Sequence, residues 1–100
     1  MRPLIAWMTP TDNTILDFLS GHERDGFCAP PKVVAVNTEF SASHVRKRVL
    51  KLNKADLLEN LSSPQGYYQL TNLGHRYLAG ELTIQEGEKL DRFDSSDSRS

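Results

Sequence analysis

Hydrophobic residues recur at helical spacing in the first part of the chain. Thr9 is a candidate cap for this segment, because proline follows it at the first helical position and Asp12, three residues on, can complete a capping box. A helix is therefore predicted from about Thr9 to Ser20, where Gly21 favours a left-handed end. The apolar positions that predict its inner face are Ile15, Leu16, Phe18 and Leu19.

A short apolar piece and a second helix are predicted after a polar loop. Residues 27–29 can form a very short strand, and the two prolines that follow suit a helix N-terminus and forbid regular sheet pairing. The second helix is expected over about Pro31 to Asn37. Because three valines in this stretch are β-branched, a strand is the alternative.

The division between apolar and polar positions is sharpest from Ser41 to about Asn53. Ser41 is a candidate N-cap, with Ser43 as a weaker alternative. At about 100° per residue, one narrow stripe of this third helix is apolar and the opposite side is mainly basic. The apolar stripe consists of Val45, Val49 and Leu52, and the opposite side of Ser43, Arg46, Lys47, Leu50, Lys51 and Lys54.

The second half of the chain predicts a hairpin and two more helices. Residues 57–61 and 67–70 flank a turn-rich segment and indicate two strands joined by a five-residue polar loop. A fourth helix is expected from Thr71 to Gly80, and a short fifth one from Thr83 through Phe93. Residues 94–100 are polar and rich in serine, which predicts a disordered tail.

This order of elements predicts a mostly α-helical fold with a small antiparallel β-hairpin (α+β). Residues 1–93 would form one winged helix-turn-helix domain, in which the second and third helices are the helix-turn-helix and the hairpin 57–70 is the wing. In such modules the second helix of the pair lies in the major groove of DNA, with polar side chains towards the base edges.

Composition permits one folded domain and excludes several classes of protein. The chain has 100 residues, of which 38% are hydrophobic, and its longest apolar run is too short for a signal peptide or a membrane span. A cytoplasmic protein without a membrane partner is expected. One cysteine and three scattered histidines provide neither a disulfide nor a zinc site, so no metal and no cofactor is expected. Nothing resembles a nucleophile–base pair or a phosphate-binding glycine loop, which argues against an enzyme and indicates no small-molecule ligand.

Charge is unevenly distributed along the chain. The net charge of −1 by itself argues against a nucleic-acid-binding protein, yet residues 30–80 hold seven basic and three acidic side chains. Five of those basic side chains fall within nine residues of the third helix, close enough to form one surface patch. They are Arg46, Lys47, Arg48, Lys51 and Lys54.

Several short motifs taken together resemble the phi-H repressor-like winged helix-turn-helix regulators of haloarchaea and their viruses, over roughly residues 3–82. They are Trp7-Met8-Thr9-Pro10, residues 15–19 and 30–37, Ser41 with residues 45–49, residues 56–59 and 66–71, Leu73-Gly74, and residues 77–82. The resemblance implies an archaeal DNA-binding transcriptional regulator, and its matching positions fall on the third helix. Two departures are visible: those proteins carry an acidic excess, which this chain has only at its ends, and Lys54-Ala55-Asp56 replaces the glycine usual before the second strand.

The predicted function is a sequence-specific DNA-binding transcriptional regulator, a repressor, with double-stranded DNA as its partner. Arg46 and Lys47 would lie nearest the bases, and the other polar groups of the third helix would contact phosphates. The wing lacks Lys and Arg, so its donors would be neutral side chains. The phosphate contacts expected are Ser41, Ser43, Arg48 and Lys51, assisted by Lys32 and by His44, unless His44 has no role; Gln65 and Tyr67 or Tyr68 are the wing donors.

Two alternatives remain open at the level of sequence. Leu4 and Trp7 could form a flap over the core, or a homodimer contact shared with the last helix; we predict the homodimer, because two-fold operators are commonly bound by two-fold proteins. Leu50 could touch a thymine methyl, or pack against Tyr68 or a partner subunit. The rival function is a winged-helix module that binds protein, and not DNA, through Leu50 and the apolar N-terminal segment. The residues of the last helix considered for the homodimer contact are Ile84, Leu90 and Phe93.

Overall fold

The computed structural model describes residues 5–20, 28–62 and 65–93. Their order confirms the predicted fold class, five helices with one antiparallel hairpin, and shows that the valine-rich second segment is a helix and not a strand. The elements are α1 (Pro10–Leu19), α2 (Pro31–Val36), α3 (Ala42–Lys54), β1 (Leu58–Ser62), β2 (Gln65–Leu70), α4 (Asn72–Ala79) and α5 (Ile84–Asp91).

Hydroxyl side chains cap four of the helices at the positions that the sequence predicts. The Thr9 hydroxyl accepts a hydrogen bond from the Asp12 amide (3.3 Å), and the Thr9 amide donates to the Asp12 carboxylate (3.0 Å). These contacts complete a capping box, which satisfies backbone donors that an uncapped helix leaves without partners. The hydroxyls of Ser41, Thr71 and Thr83 cap α3, α4 and α5 in the same way.

Two turns frame α3, and each holds a non-glycine residue in the left-handed region of backbone conformation. Glu39 has a φ of 72° in the turn between α2 and α3, and Asp56 has a φ of 73° between α3 and β1. Asp56 is one of the residues that replace the expected glycine, and a short polar side chain tolerates this conformation better than a bulky one. That departure from the family pattern therefore leaves the turn itself intact.

The hydrophobic core lies between the first three helices and the inner side of the hairpin. The predicted apolar stripe of α3 forms its centre, because Val45, Val49 and Leu52 are all fully buried. Ile15 and Leu16 of α1 are buried equally well. Burial of these side chains sets the rotation of α3 about its axis, and so decides which of its residues face solvent.

The two strands of the hairpin extend further towards the turn than the sequence predicted, because their polar ends were assigned to the loop. β1 extends to Ser62 and β2 begins at Gln65, so the predicted five-residue loop over 62–66 is too long. Ladder hydrogen bonds join backbone groups whatever the side chain, which explains why composition misplaced the strand ends. The short strand predicted over 27–29 is a single bridge between Ala29 and Tyr68 (N–O distances 3.1 and 2.9 Å), and residue 27 lies outside the described part.

The N-terminal segment packs against the end of α5. The indole nitrogen of Trp7 donates to the Leu90 carbonyl (2.8 Å), and the Trp7 and Phe93 rings are 5.5 Å apart. Trp7 is only 9% exposed, so the structure favours the core flap over the homodimer contact predicted for Trp7 and Phe93. Leu4 and the tail 94–100 lie outside the described residues. Within the described ranges, no helix is both long and apolar enough to cross a bilayer.

Candidate nucleic-acid interface

One long side of α3 is open to solvent. We call it the open face; it carries mainly polar side chains and one leucine. Within the ranges that the structure describes, no ion pair or side-chain hydrogen bond engages these residues, so their polar groups are available to a ligand. The open face consists of Ser43, Arg46, Lys47, Leu50 and Lys54.

A second side of α3 is occupied by contacts with the start of the chain. We call it the anchored flank; it consists of His44, Arg48 and Lys51, which recur at helical spacing. Each of the three has a partner between Trp7 and Asp12. The basic residues of α3 are thus divided between a side that faces solvent and a side that holds the helix in place.

Arg48 forms the strongest contact of the anchored flank. Its Nε donates to Oδ1 of Asp12 (2.7 Å) and its terminal nitrogen to Oδ2 (2.6 Å), in a bidentate pair, and the same nitrogen lies 3.4 Å from the Trp7 carbonyl. The Asp12 side chain is completely buried and that of Arg48 is 20% exposed. A buried carboxylate requires a hydrogen-bonded counter-charge, and Arg48 supplies it.

This geometry gives Arg48 an intramolecular role that its predicted phosphate contact did not include. Its guanidinium is committed to Asp12, a carboxylate that the sequence identified only as the end of a capping box. The missed signal was Asp12 itself, because the first turn of α1 directs this charge into the core, where it needs a cation.

Lys51 and His44 extend the anchored flank on either side of Arg48. The Lys51 ammonium lies 5.2 Å from the centre of the Trp7 ring, within the range of a cation–π contact. The His44 imidazole lies 3.3 Å from the Thr11 hydroxyl and meets the Phe40 ring edge-on at 6.0 Å. The structure therefore gives both residues intramolecular partners that sequence periodicity did not reveal.

The remaining helical candidates border the open face. Ser41 precedes α3, where its hydroxyl accepts the His44 amide (3.2 Å), and it is exposed to solvent. Lys32 is exposed in the first turn of α2, the helix that packs against α3. Both lie on the helix-turn-helix pair, as the sequence predicted.

The wing provides neutral and acidic groups but no cation among its described residues. Tyr67 is half-buried, whereas Tyr68 is buried and pairs with Ala29, so Tyr67 is the better placed of the two tyrosines to reach a ligand. Glu59 on β1 accepts a hydrogen bond from the Gln69 side chain on β2. The Gln65 side chain lies outside the described part of the structure.

A second arginine pair lies away from α3. Two nitrogens of Arg76 donate to the two oxygens of Glu86 (2.6 and 2.7 Å), joining α4 to α5. These hydrogen bonds, followed by one from the Thr83 amide, lower the pKa of Glu86 to about 2. Among the described residues, no group of three histidine, cysteine or acidic side chains is placed to hold a metal ion.

Similarity to known proteins extends over most of the chain. A sequence model of the family described as "Winged helix-turn-helix phage repressor" matches residues 1–90. The chain belongs to this winged helix-turn-helix phage repressor family. It is 35% identical over 97 residues to a repressor protein of Halobacterium phage phiH, a match that covers 89% of this chain and 99% of that protein.

A solved structure extends the similarity to three dimensions. The crystal structure of the PhiH1 repressor-like protein from Haloarcula marismortui matches with a TM-score of 0.69 and 35% identity, covering 81% of this chain and 88% of that one. The resemblance inferred from the motifs is thereby confirmed. This member of the phage repressor family is a repressor-like regulator and not an enzyme.

Proposed function

We propose that this phage-repressor-family protein binds double-stranded DNA sequence-specifically, with the open face of α3 in the major groove. The observation that supports the proposal best is the division of α3 into two sides. The anchored flank fixes the helix to α1 and the N-terminal segment, while the open face presents polar groups without intramolecular partners in the described part of the chain. A helix that is packed against the rest of the fold on one side and exposes polar residues on the other is suited to enter the major groove of DNA.

Arg46 and Lys47 are the residues proposed to read bases. Arginine and lysine donate well to the O6 and N7 acceptors of guanine, and Leu50, which is 47% exposed between them and the helix end, can touch a thymine methyl. Phosphate contacts are assigned to Ser41, Ser43 and Lys54 at the edges of the face. Lys32 adds a cation from α2.

The anchored flank has an indirect role in this proposal. Arg48 and Lys51 position α3, and His44 steadies its first turn. The wing contributes neutral donors, Gln65 and the Tyr67 hydroxyl, to the adjacent backbone or minor groove. Affinity should therefore depend on α3 more than on the hairpin.

The test compares two double substitutions that remove equal charge from different helices. Arg46→Ala with Lys47→Ala changes the open face, and Lys89→Ala with Arg92→Ala changes two exposed residues at the C-terminal end of α5, one in the helix and one at its C-cap. The DNA site is first selected from random duplexes, and its Kd is then measured by fluorescence anisotropy. Because each base contact contributes about 1–3 kcal/mol, the first pair should weaken binding about 100-fold or more. The α5 pair should leave it nearly unchanged, and equal losses would contradict the assignment.

A protein-binding module that uses Leu50 is the second candidate function, since this leucine is exposed on the open face. The dependence of binding affinity on salt concentration distinguishes the two candidate functions. DNA binding through several phosphates must weaken steeply as salt rises, whereas an apolar protein interface should not. If the selected duplex binds with no dependence on salt, or if no duplex is enriched, the DNA proposal fails.

A homodimer on a two-fold operator remains part of the proposal. Since Trp7 is buried and Phe93 packs against it in the same chain, Ile84 becomes the better candidate for the contact, because it is 81% exposed on α5. Sedimentation velocity without DNA provides the test. A monomer at micromolar concentration would contradict the dimer.

A further inference from the structure

A groove of about 530 Å³ lies where the C-terminal end of α3 meets α4 and α5. Small-molecule sites are concave and typically measure roughly 300–1,000 Å³, so this groove is large enough for a metabolite-sized ligand. It meets the open face at one residue, Lys54, which belongs to both. Its lining includes apolar, basic and acidic side chains, among them Lys54, Asp56, Leu73, Lys89, Leu90 and Phe93.

The apolar lining is fixed in place by the fold. Leu90 is buried and its carbonyl accepts the indole N–H of Trp7, while Phe93 packs against the same indole. Leu73 comes from the first turn of α4 and is half-buried. An apolar ligand would therefore meet a surface that is already formed, at little cost in ordering it.

The charges of the groove favour an anion. Arg76 and Glu86 neutralise each other through two short hydrogen bonds and leave Lys54, Lys89 and Asp56. Across residues 5–20, 28–62 and 65–93, neither lysine has an ion-pair partner, so the groove keeps one positive charge in excess. Two such lysines beside an apolar surface match a ligand with an apolar body and one anionic group.

We propose that this groove binds a small amphipathic anion, such as an aromatic or short aliphatic carboxylate. Its apolar part would cover Leu73, Leu90 and Phe93, and its anionic group would pair with Lys54 and Lys89. No part of this site depends on a contact with DNA.

Lys54 links the groove to the open face. If α3 binds DNA as proposed above, an anion held by Lys54 removes one cation from the DNA surface, and ligand and DNA weaken each other's binding. Because such coupling is reciprocal, the factor by which the ligand raises the Kd for DNA equals the factor by which DNA raises the Kd for the ligand.

Two fluorescent probes of nearly equal shape test the site without DNA. Anilinonaphthalene sulfonate carries one negative charge, and phenylnaphthylamine lacks it. The anionic probe should bind with one-to-one stoichiometry and about fivefold or more tighter than the neutral probe, since its charge meets the lysines. Amide shifts in an NMR titration should concentrate at residues 54–56, 73–76 and 86–93. Absence of saturation, equal affinities of the two probes, or shifts centred elsewhere would overturn the proposal.

A matched pair of charge reversals then tests the lysines. Lys89→Glu should weaken the anionic probe about tenfold and leave the neutral probe unchanged, because only the ionic contact is altered. Lys32→Glu makes the same change on α2, outside the groove, and should affect neither probe. Both lysines are exposed, so melting curves of the two variants should match that of the parent protein. Equal effects of the two reversals would overturn the site.

The DNA titration is kept separate. Saturating anionic probe should raise the Kd for the selected duplex, and an unchanged Kd would overturn the linkage through Lys54. Failure to bind any duplex would instead refute the proposed function, while the probe titration, which contains no DNA, still decides the groove.

Discussion

The open face and the anchored flank of α3 use similar residues for opposite purposes. Arg46 and Lys47 on the open face have no partner in the described chain, whereas Arg48, the next residue, is bound to a buried carboxylate. A difference of about 100° in direction around the helix separates the two roles. The comparison shows that the number of basic residues on this helix overstates the number that the fold leaves without intramolecular contacts in the described part of the chain.

The partners of the anchored flank explain the difference. Asp12 completes the capping box of α1 with one oxygen and accepts Arg48 with both, so one carboxylate fixes a helix start and the position of α3. Trp7 serves similarly, because its indole lies under Lys51 and donates to α5. The flank therefore joins three parts of the fold, and the open face joins none of the described ones.

The largest expected difference between the two sides of α3 is in the stability lost when an arginine is replaced. Arg48→Met removes the counter-charge of Asp12 and leaves a buried carboxylate unpaired, which should lower the free energy of unfolding by about 3–5 kcal/mol. Arg46→Met makes the same change on the open face and should cost less than about 0.5 kcal/mol. Urea unfolding followed by circular dichroism measures both. Similar losses in the two variants would show that the two sides are not distinct.

The next comparison concerns DNA binding and uses the two lysines. Lys47→Met should weaken binding to the selected duplex about tenfold and lower the slope of log Kd against log salt by about one, because it removes a cation from the interface. Lys51→Met should leave the salt slope unchanged, since its ammonium is placed over Trp7 and away from the open face. Anisotropy titrations at several salt concentrations provide the slopes. A reduced slope for Lys51→Met would move this lysine to the DNA-contacting side.

The smallest expected effect sharpens the contrast between a buried and an exposed arginine pair. The pKa of Glu86 is lowered from its ordinary value of 4.5 to about 2, mainly by the hydrogen bonds from Arg76, and the pair is partly exposed. Its stabilising contribution should be complete above pH 4.5 and should disappear as pH falls towards 2. Glu86→Gln lacks that contribution at every pH.

The measurement is the difference in unfolding free energy between the parent protein and Glu86→Gln at several pH values. This difference should shrink on acidification, and at neutral pH it should also shrink with added salt, because exposed charges are screened. The Arg48–Asp12 pair is largely shielded from solvent and should respond less to salt. A difference that stays constant as pH falls would contradict the role given to Glu86.

Periodicity and capping chemistry predicted most of the fold because both are local. The stripe of Val45, Val49 and Leu52 identified the buried side of α3, and hydroxyl residues marked four helix starts. The strand ends were misplaced, because polar residues between 62 and 66 also form ladder contacts. The valine-rich segment was predicted as a helix with a strand as the alternative, and the structure confirms the helix.

The candidate site was predicted less completely, because its division depends on residues far away in sequence. Arg48 and Asp12 are 36 positions apart, and no local pattern states that they meet. From helical geometry alone, Lys51 was expected near the open face. In the structure its ammonium lies over the Trp7 ring, and Trp7 belongs to a segment without regular secondary structure. Long-range pairing of this kind is what the sequence alone left undetermined.

The position of Asp12 has a practical consequence for changing what the protein recognises. Since the Asp12–Arg48 pair holds α3 from behind, the five residues of the open face can be randomised together without touching the scaffold contacts. A library at positions 43, 46, 47, 50 and 54 should therefore yield many folded variants with altered operator preference. A library at positions 44, 48 and 51 should mainly yield unstable ones. Within α3, the residues that maintain the fold and the residues proposed to select the target can therefore change independently of each other.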